Sequence, residues 1–390
     1  MKMLIVFRKT LREMSREAWM LGLTLAFAPL FVLLYWIWFS GGSTTYGIAL
    51  INQDRGIVLP DGSAFNAGGE AAAAIVGNVT YADGKPILKA IPASSREEPK
   101  PILENRQAAA FIHISEDFSR AIESARNGER DVKSTVTFGG DIANPYYMVA
   151  VNLAISGMEN YIVRAAGQVP FIEYMEEPLG LSGVRTEFEN YVPGTLIFSI
   201  ILLIFLSSMT VAREIETGAL RRLQLTSMRS MDLLGGITLA IAIVGALSIT
   251  FAFAVAVLLG FRSLGPLWAA VLVGMITSLS VIGMGMVVAS FTRTVSQAFI
   301  VANFPLALMM FFSGVIFPMP PIPLFTLWGH GFGLYDILPP SHAVTALNKV
   351  LTMGAGFHDI LYELAMLTVL SLLYFSAGAI LFRRFHLRSE

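Results

Sequence analysis

Residues 192–211 read VPGTLIFSIILLIFLSSMTV and contain no Asp, Glu, Lys, Arg or His. An apolar helix of about 20 residues is long enough to cross the roughly 30 Å hydrocarbon core of a bilayer. The stretch therefore predicts a transmembrane helix. Five further stretches have the same character, although the last carries Glu363 near its start: 19–39, 233–259, 267–290, 295–316 and 360–382.

The composition of the whole chain agrees with a membrane protein. Of the 390 residues, 55% are hydrophobic and 14% are charged, and the mean hydropathy is +0.64. A soluble domain usually has about 25% charged residues, so a wholly water-soluble fold is excluded. The net charge of −1 and the absence of cysteine exclude a basic nucleic-acid-binding surface, a disulfide scaffold and a thiolate metal site.

Lys and Arg flank the six predicted spans unevenly. Thirteen lie on one side, whereas the short loops opposite hold two, Arg262 and Lys349. Because cytoplasmic loops carry the excess of positive charge, both termini are predicted to be cytoplasmic and residues 40–191 to lie outside. The first span is either retained or cleaved as a signal peptide; its apolar stretch exceeds the usual 7–15 or so residues of a signal sequence, which favours retention.

Residues 40–191 differ in composition from the rest of the chain. They hold 12 Lys and Arg and 19 Asp and Glu, and a segment of this length can bury a core of its own. Strands at 47–51 and 108–114, then a helix capped by Ser115 and a further strand, predict a small α/β domain. The helix face consists of Phe118, Ala121, Ile122 and Ala125, and the last strand places Val132, Val136 and Phe138 on one face.

A longer helix is predicted to begin at the N-cap Asn144 and Pro145. Its apolar residues recur every three or four positions, so they share one face. That face either packs on its own domain, the interpretation we favour, or forms a seam against a second copy of the chain. The residues of this face are Met148, Val151, Ile155, Met158, Ile162 and Ala165.

The sequence shows no motif for catalysis, metal binding or nucleotide binding. It contains no G-x-x-x-x-G-K-[ST], H-E-x-x-H or G-x-S-x-G pattern, so we expect no catalytic residue, no metal site and no cofactor in this chain. Glu363 is the single ionisable residue within the predicted spans. It either receives an ion in a carrier or, as we favour, extends toward water, so an ion-driven carrier is disfavoured.

Two predicted cytoplasmic segments have the composition of docking surfaces. Residues 1–18 predict a basic amphipathic helix that lies in the membrane interface. Residues 212–232 mix both charge signs with leucines and form either a docking surface or an ordinary positively charged loop. The apolar stripe of the first segment is Leu4, Phe7, Leu11, Met14 and Ala18, and its basic residues are Arg8, Lys9, Arg12 and Arg16.

Four short motifs, taken in order, carry a resemblance to a known family. REIETGAL at 213–220 is similar to E-x-x-x-G-[TA]-[LM], and LTSMR at 225–229 is similar to T-P-[ML]-[SR]. FSGVIFP at 312–318 resembles [LF]-S-G-x-x-[FY]-P, and LPPSHAV at 338–344 takes the place of N-P-[LF]-T-[YH]-[AF]-[VL]. With the order of the spans, they resemble the membrane subunits (permeases) of type-2 ATP-binding-cassette (ABC-2) exporters, in the branch with a large extracytoplasmic insert between the first and second spans.

The resemblance implies a separate cytoplasmic ATPase subunit that binds ATP and Mg. The loop after the second span would dock in a groove of that subunit, the amphipathic start would be an elbow helix nearby, and residues 317–323 would begin re-entrant elements. Two permeases, either two copies or one copy and a paralogue, would form a conduit for an amphiphile such as a drug, a lipid or a lipid-linked molecule. The implied coupling residues are Arg213, Glu214, Glu216, Gly218, Leu220, Arg221 and Arg222.

Residues of the second and fifth spans are the candidate conduit lining, although small polar residues in membranes equally hold helices together. The alternative function is a membrane-anchored protein whose extracytoplasmic domain binds a ligand or partner without transport. Six spans exceed what such an anchor needs. The candidate lining residues are Thr195, Ser199, Ser207, Ser208, Asn303, Met309, Met310 and Ser313.

The predicted fold is therefore a polytopic α-helical protein of the cell membrane, with six transmembrane helices and an α/β domain inserted between helices 1 and 2. The predicted segments are the interfacial helix (1–18), helix 1 (19–39), the extracytoplasmic domain (40–191), helices 2–5 (192–316), the re-entrant segment (317–359), helix 6 (360–382) and a cytoplasmic tail (383–390).

Overall fold

The computed structural model describes residues 2–16, 18–39, 44–77, 80–81, 84–105, 107–129, 132–141, 144–167, 186–220, 230–316, 322–327 and 329–387. The chain forms two compact units. The helical unit consists of Met1–Gly41 and Leu179–Glu390, and the sheet unit consists of Gly42–Pro178. The predicted residues Arg221 and Arg222, the LTSMR motif and residues 317–321 lie outside the described residues.

Two helices open the helical unit, α1 (Lys2–Arg16) and α2 (Ala18–Phe39). The buried residues of α1 are Val6, Thr10 and Met14, which recur every fourth position and so occupy one face of the helix. α2 is 22 residues long and apolar throughout, with Pro29 inside it.

The sheet unit contains a four-stranded sheet in the order β4-β1-β5-β6. β1 runs parallel to both β4 and β5, whereas β6 is antiparallel to β5. Apolar residues of the sheet and its helices, among them Ile48, Ile112 and Ile75, form one core. The elements are β1 (Tyr46–Asn52), β2 (Ile57–Val58), β3 (Ala64–Phe65), α3 (Ala67–Gly77), β4 (Leu88–Ala93), α4 (Pro99–Glu104), β5 (Ala110–Ile114), α5 (Phe118–Arg126), β6 (Val136–Gly140) and α6 (Pro145–Ala165).

Two local expectations for the sheet unit were wrong. The N-cap of α5 is Asp117 rather than Ser115, and the Ser115 hydroxyl instead contacts that of Ser134 at 2.7 Å. Val132 precedes β6, because its partner strand β5 ends at Ile114, which pairs with Val136.

α6 packs within the sheet unit. Val151, Met158 and Ala165 are buried, and Gly157 lies so close to α3 that an added Cβ would be 3.2 Å from the Cα of Ile75. Met148, at the amino-terminal end of the predicted face, is exposed.

The rest of the helical unit consists mainly of long apolar helices. Five described segments are long and apolar enough to cross a membrane, namely Phe188–Glu216, Met231–Leu258, Leu267–Ser290, Val295–Phe312 and Phe357–His386, and Thr24–Trp38 within α2 is a shorter apolar helix. The elements are α7 (Glu187–Ile201), α8 (Leu203–Glu216), α9 (Ser230–Leu258), α10 (Leu267–Ser290), α11 (Val295–Phe312), β7 (Pro323–Leu327), β8 (His330–Gly333), α12 (Pro339–Leu347) and α13 (Leu361–Phe382).

Two helix boundaries differ from the sequence prediction for a local physical reason. α7 begins before residue 192, because Thr186 and Glu189 form a reciprocal capping box at its start. α11 ends at Phe312 rather than at 316, and Gly314 there has a positive φ of 73°, a conformation that glycine tolerates and that does not continue a helix.

Close backbone contacts hold α10 against its neighbours. A Cβ added to Gly283 would lie 2.5 Å from the Cα of Phe375 in α13, and one added to Gly285 would lie 2.6 Å from the Ser207 hydroxyl in α8. Small residues at helix crossings let backbones approach closely, which is how helices associate where no hydrophobic driving force exists between them. α12 packs against α13, α10 and α7, and eight of its nine residues, Pro339 to Val344 and Ala346 to Leu347, are buried.

Candidate functional site

The amino-terminal helix α1 lies against the start of α9. A Cβ added to Gly236 would lie 2.6 Å from the Cβ of Val6 and 2.8 Å from the carbonyl oxygen of Met3, whereas one added to Gly235 would meet only the Met3 side chain. Glycine at 236 therefore sets how closely α1 approaches α9. Of the predicted apolar stripe, Met14 is buried against the protein, Phe7 and Leu11 are half-buried, and Leu4 is exposed.

Lys9 of α1 pairs with Glu214 in the last turn of α8. Its Nζ lies 2.5 Å from Oε1 of Glu214 and 3.7 Å from Oε1 of Glu13. Glu214 is 5% exposed, and a negative charge at the carboxyl end of a helix is opposed by the helix dipole. The lysine supplies the opposite charge that a buried carboxylate needs. Oε2 of Glu214 has no hydrogen-bond partner among the described residues.

Glu216 connects the end of α8 to the start of α11. Its Oε2 accepts a hydrogen bond of 2.8 Å from the backbone N–H of Val295, the first residue of α11. The first N–H groups of a helix have no partner within the helix, and the positive end of the dipole favours a carboxylate. Thr294 caps the same helix end through the N–H of Gln297.

Gly218 ends α8. Its φ is +65°, a backbone conformation in which a Cβ is strained, and its N–H donates to the carbonyl oxygen of Ile215. Leu220 is buried in the hydrophobic core of the helical unit, and Arg213 is half-buried. Five of the seven predicted coupling residues lie in the last turn of α8 and the four residues that follow it, while Arg221 and Arg222 lie outside the described part of the chain.

At the other end of these helices, Glu189 ties the start of α7 to the segment after α9. It is buried; Oε2 accepts a hydrogen bond from the N–H of Thr186 at 2.8 Å, and Oε1 accepts one from the N–H of Arg262 at 3.1 Å.

Glu363 does not extend toward water, so that expectation was wrong. It is 4% exposed, and its Oε1 lies 2.6 Å from Nζ of Lys349. The lysine lies in the helical turn Asn348–Thr352, which directly follows α12, and brings a positive charge to the buried carboxylate. Oε2 of Glu363 has no hydrogen-bond partner among the residues that the structure covers.

Tyr362, the residue before Glu363, belongs to a cluster of aromatic rings. The ring of His330 stacks on Tyr362 with centroids 4.2 Å apart, and the buried His342 lies 6.1 Å from Tyr362. Nε2 of His342 donates to the carbonyl oxygen of Asp336 at 3.0 Å, since a carbonyl can only accept. Burial lowers the pKa of His342 below its usual value, although Asp336 and Glu363 act in the opposite direction.

The candidate lining residues of α7 and α8 are buried within the single chain. The hydroxyl of Ser207 donates to the carbonyl oxygen of Ile282 in α10 at 3.0 Å, a contact between helices. Thr195, Ser199 and Ser208 donate to carbonyl oxygens of their own helices. In and after α11, Asn303 is exposed, Met310 is half-buried, and Met309 and Ser313 are buried.

Comparison with known families decides what this helical arrangement is. The family model described as "ABC-2 family transporter protein" matches residues 18–380, nearly the whole chain. The chain belongs to the ABC-2 transporter family. No curated protein matches it.

An ABC-2 family member of this kind is the membrane permease of an ABC transporter and is not itself catalytic. Such permeases generally work with an ATPase subunit. In this permease, the REIETGAL motif covers the end of α8 and supplies Glu214 and Glu216. These two residues bond to Lys9 of α1 and to the N–H of Val295 in α11.

Sequence reasoning missed the partners of these residues. The sequence identifies Lys9 only as a basic residue of an amphipathic helix, because no pattern relates it to Glu214, which lies 205 positions further on. The Lys349–Glu363 pair had a weak signal, since a lysine in the short loop before the last span precedes a glutamate one turn inside that span.

Proposed function

We propose that this chain is the permease subunit of an ATP-driven exporter that moves an amphiphile, such as a drug, a lipid or a lipid-linked molecule, out of the cytoplasm or the inner leaflet. A partner ATPase binds the ATP and Mg, and this chain contributes no catalytic group. The family membership supports transport. The lack of ionisable residues in the predicted spans other than Glu363 supports an energy source outside the membrane, because ion-coupled carriers place such groups at membrane depth.

The proposed topology has six spans in the cell membrane, with α2 as the first, and both termini in the cytoplasm. The excess of Lys and Arg beside α1, residues 212–232 and the carboxyl-terminal tail supports this orientation. The sheet unit is then the extracytoplasmic insert of its branch, and residues 317–359 form the re-entrant segment.

The observation that carries the proposal is the set of contacts made by the last turn of α8. Glu214 binds Lys9 of α1 and Glu216 binds the amino terminus of α11. Three separate helices therefore meet at the start of the predicted docking segment, residues 212–232. A force applied to that loop by an ATPase would reach α1 and α11 as well as α8.

The proposed mechanism is a rigid-body tilt of these helices. ATP binding brings the partner ATPases together, they push on residues 212–232, and α8 and α11 move because their ends are joined. A packed helix pair shifts as a unit rather than bending continuously. The conduit then opens outward between two permease subunits.

The second permease is proposed to face α11. Two of its large apolar residues, Ile300 and Phe304, are 69% and 71% exposed in the single chain, whereas Ala298, Ala302 and Met309 are buried. Asn303 and Met310, which the single chain leaves accessible, are better placed for the conduit than the hydroxyls of α7 and α8, which already serve backbone carbonyls.

The test is to purify the chain with its ATPase, reconstitute the complex, and measure substrate-stimulated ATP hydrolysis and export for Glu214→Ala and Glu216→Ala. Substituting residues that couple two sites typically changes the coupling free energy by about 0.5–2 kcal/mol. We therefore expect export per ATP hydrolysed to fall roughly 2- to 30-fold. Glu13→Ala is the control, because Glu13 also faces Lys9, but at 3.7 Å and with its side chain 44% exposed. If both variants retain export and stimulation in an intact complex, the coupling role is wrong; if the chain exports alone, the ATP-driven function is wrong.

A further inference from the structure

Three arginines of α1 form a row along one side of the helix. Arg8, Arg12 and Arg16 are four residues apart, so their Cα atoms are about 6 Å apart along the helix axis. All three are exposed. We call Arg8, Arg12 and Arg16 the arginine row. In the part of the chain that the structure describes, the nearby carboxylates Glu13 and Glu214 pair with Lys9, and no carboxylate pairs with the arginine row.

The rotation of α1 is fixed, so the arginine row cannot turn toward the protein. Val6, Thr10 and Met14 are buried on the opposite side, and Val6 rests against Gly236 of α9. The arginine row therefore faces outward in the folded chain.

Exposed apolar side chains adjoin the arginine row. Leu4 lies one turn before Arg8 in the same row and is 46% exposed, and the neighbouring Ile5 is 58% exposed. A helix with apolar residues beside arginines suits the boundary between acyl chains and headgroups.

We propose that the arginine row binds the phosphate groups of anionic phospholipids in the leaflet where α1 lies. This inference rests on the membrane orientation given under Proposed function. A guanidinium group donates two parallel hydrogen bonds to a phosphate, and the three guanidinium groups have no counter-charge from the described residues. Leu4 and Ile5 lie beside the acyl chains of the same lipids.

Bound anionic lipid would hold α1 at the membrane surface. Because α1 carries Lys9, which binds Glu214, the charge of the leaflet then affects how firmly the end of α8 is held. Zwitterionic lipid offers the same phosphate group but no net negative charge, so it binds the arginine row more weakly.

The test measures binding of fluorescent phosphatidylglycerol and fluorescent phosphatidylcholine to the purified full-length chain in neutral detergent, without ATPase or substrate. Each basic residue near an anionic surface contributes about 1 kcal/mol, or roughly fivefold in affinity. We expect the chain to prefer phosphatidylglycerol, and each Arg→Gln change in the row to weaken that binding by about fivefold. The triple Arg→Lys variant retains the charge but loses paired hydrogen bonds, so its loss should be smaller than that of the triple Arg→Gln variant.

A charge-matched control is available in the sheet unit. Lys89, Lys100 and Lys133 are exposed there, and their triple change to Gln alters the net charge by the same amount, so phosphatidylglycerol binding should be unchanged. The Arg→Gln variant should unfold at the temperature of the wild type, since exposed substitutions usually change stability by less than about 0.5 kcal/mol.

Equal binding of both lipids by the wild type, or wild-type binding by the triple Arg→Gln variant, would overturn the proposal. If that variant instead keeps phosphatidylglycerol but no longer retains the ATPase in a pull-down, the arginine row contacts the protein partner and the lipid proposal is wrong. The lipid measurement needs no transport, so its failure leaves the export function standing, and failure of export leaves the lipid result standing.

Discussion

Asp54 in the sheet unit and Glu214 in the helical unit are both buried carboxylates, but the fold surrounds them differently. Asp54 accepts hydrogen bonds from the N–H of Gly68 at 2.9 Å, from the N–H of Ser119 at 2.9 Å and from the Ser119 hydroxyl at 2.5 Å. Glu214 holds Lys9 on one oxygen, and its other oxygen has no hydrogen-bond partner in the described structure. Glu363 repeats the second arrangement with Lys349.

The difference follows from where backbone donors are free. Asp54 lies at the amino-terminal ends of α3 and α5, where the first N–H groups of a helix lack partners. Glu214 lies at the end of a long helix, where the N–H groups are used within the helix, so only a side chain from another helix can reach it. Backbone donors thus hold Asp54, as they hold Glu189 in the helical unit, whereas Glu214 and Glu363 are held by lysines that a movement can separate.

The largest effect is expected where backbone donors hold the charge. Asp54→Ala removes the acceptor of three hydrogen bonds and leaves donors at two helix ends unmet. Hydrogen bonds to charged groups are worth roughly 1.5–3 kcal/mol each, so the sheet unit should lose about 3–5 kcal/mol of stability. Hydrogen exchange on the full chain should show faster exchange of the amides in α3 and α5.

The control for Asp54 is Asp61→Ala, because Asp61 is exposed and its hydrogen bonds among the described residues come from the nearby Ser63. It should change exchange in α3 and α5 little. Asp54→Asn keeps one acceptor oxygen and should fall between the two. Equal exchange in the Asp54→Ala and Asp61→Ala variants would show that backbone caps do not hold this unit.

A smaller and asymmetric effect is expected at Lys349 and Glu363. Lys349→Met leaves a buried carboxylate without its cation, which costs about 2 kcal/mol after allowance for the partly exposed lysine. Glu363→Gln leaves a neutral group that can still accept from Lys349, so its cost should be well under half of that. The thermal unfolding midpoint of the purified chain measures both.

The double variant Lys349→Met with Glu363→Leu sharpens this result. Replacing both members of a buried pair by apolar residues is often neutral or stabilising, so its midpoint should lie above that of Lys349→Met alone. If the double variant and Lys349→Met have the same thermal unfolding midpoint, the buried ion pair is not fixed by its two side chains alone.

Much of the helical unit could be predicted from apolar length alone. The prediction 267–290 coincides with α10, and 360–382 differs from α13 by one residue. The errors occur where a cap rather than hydropathy sets the boundary, as at Thr186 before α7. In the sheet unit, α5 was found from its periodicity, but the group that satisfies its amino terminus is Asp54, 65 residues earlier.

The candidate site was predictable only as a motif. REIETGAL marked Glu214 and Glu216, because a run of charges beside an apolar span is conspicuous. Their partners lie 205 and 79 positions away in sequence, and single-sequence patterns extend over a few helix turns. The same limit applies to Gly236, whose role depends on the backbone of Met3 and on Val6.

The smallest effect is expected at Gly235 and Gly236, the glycines of α9 that contact α1. It tests whether the position of α1 depends on its close approach to α9 as well as on the Lys9–Glu214 pair. Gly236→Ala places a Cβ against the Cβ of Val6 and the carbonyl oxygen of Met3, so α1 must shift, at about 1–2 kcal/mol. Gly235→Ala meets only the flexible end of Met3 and gains up to about 1 kcal/mol in helix propensity, so its net change should be near zero or favourable. Hydrogen exchange of the α1 amides, compared between the two variants, measures the difference. If both variants exchange alike, the close approach of α1 to α9 at Gly236 contributes nothing to the seating of α1.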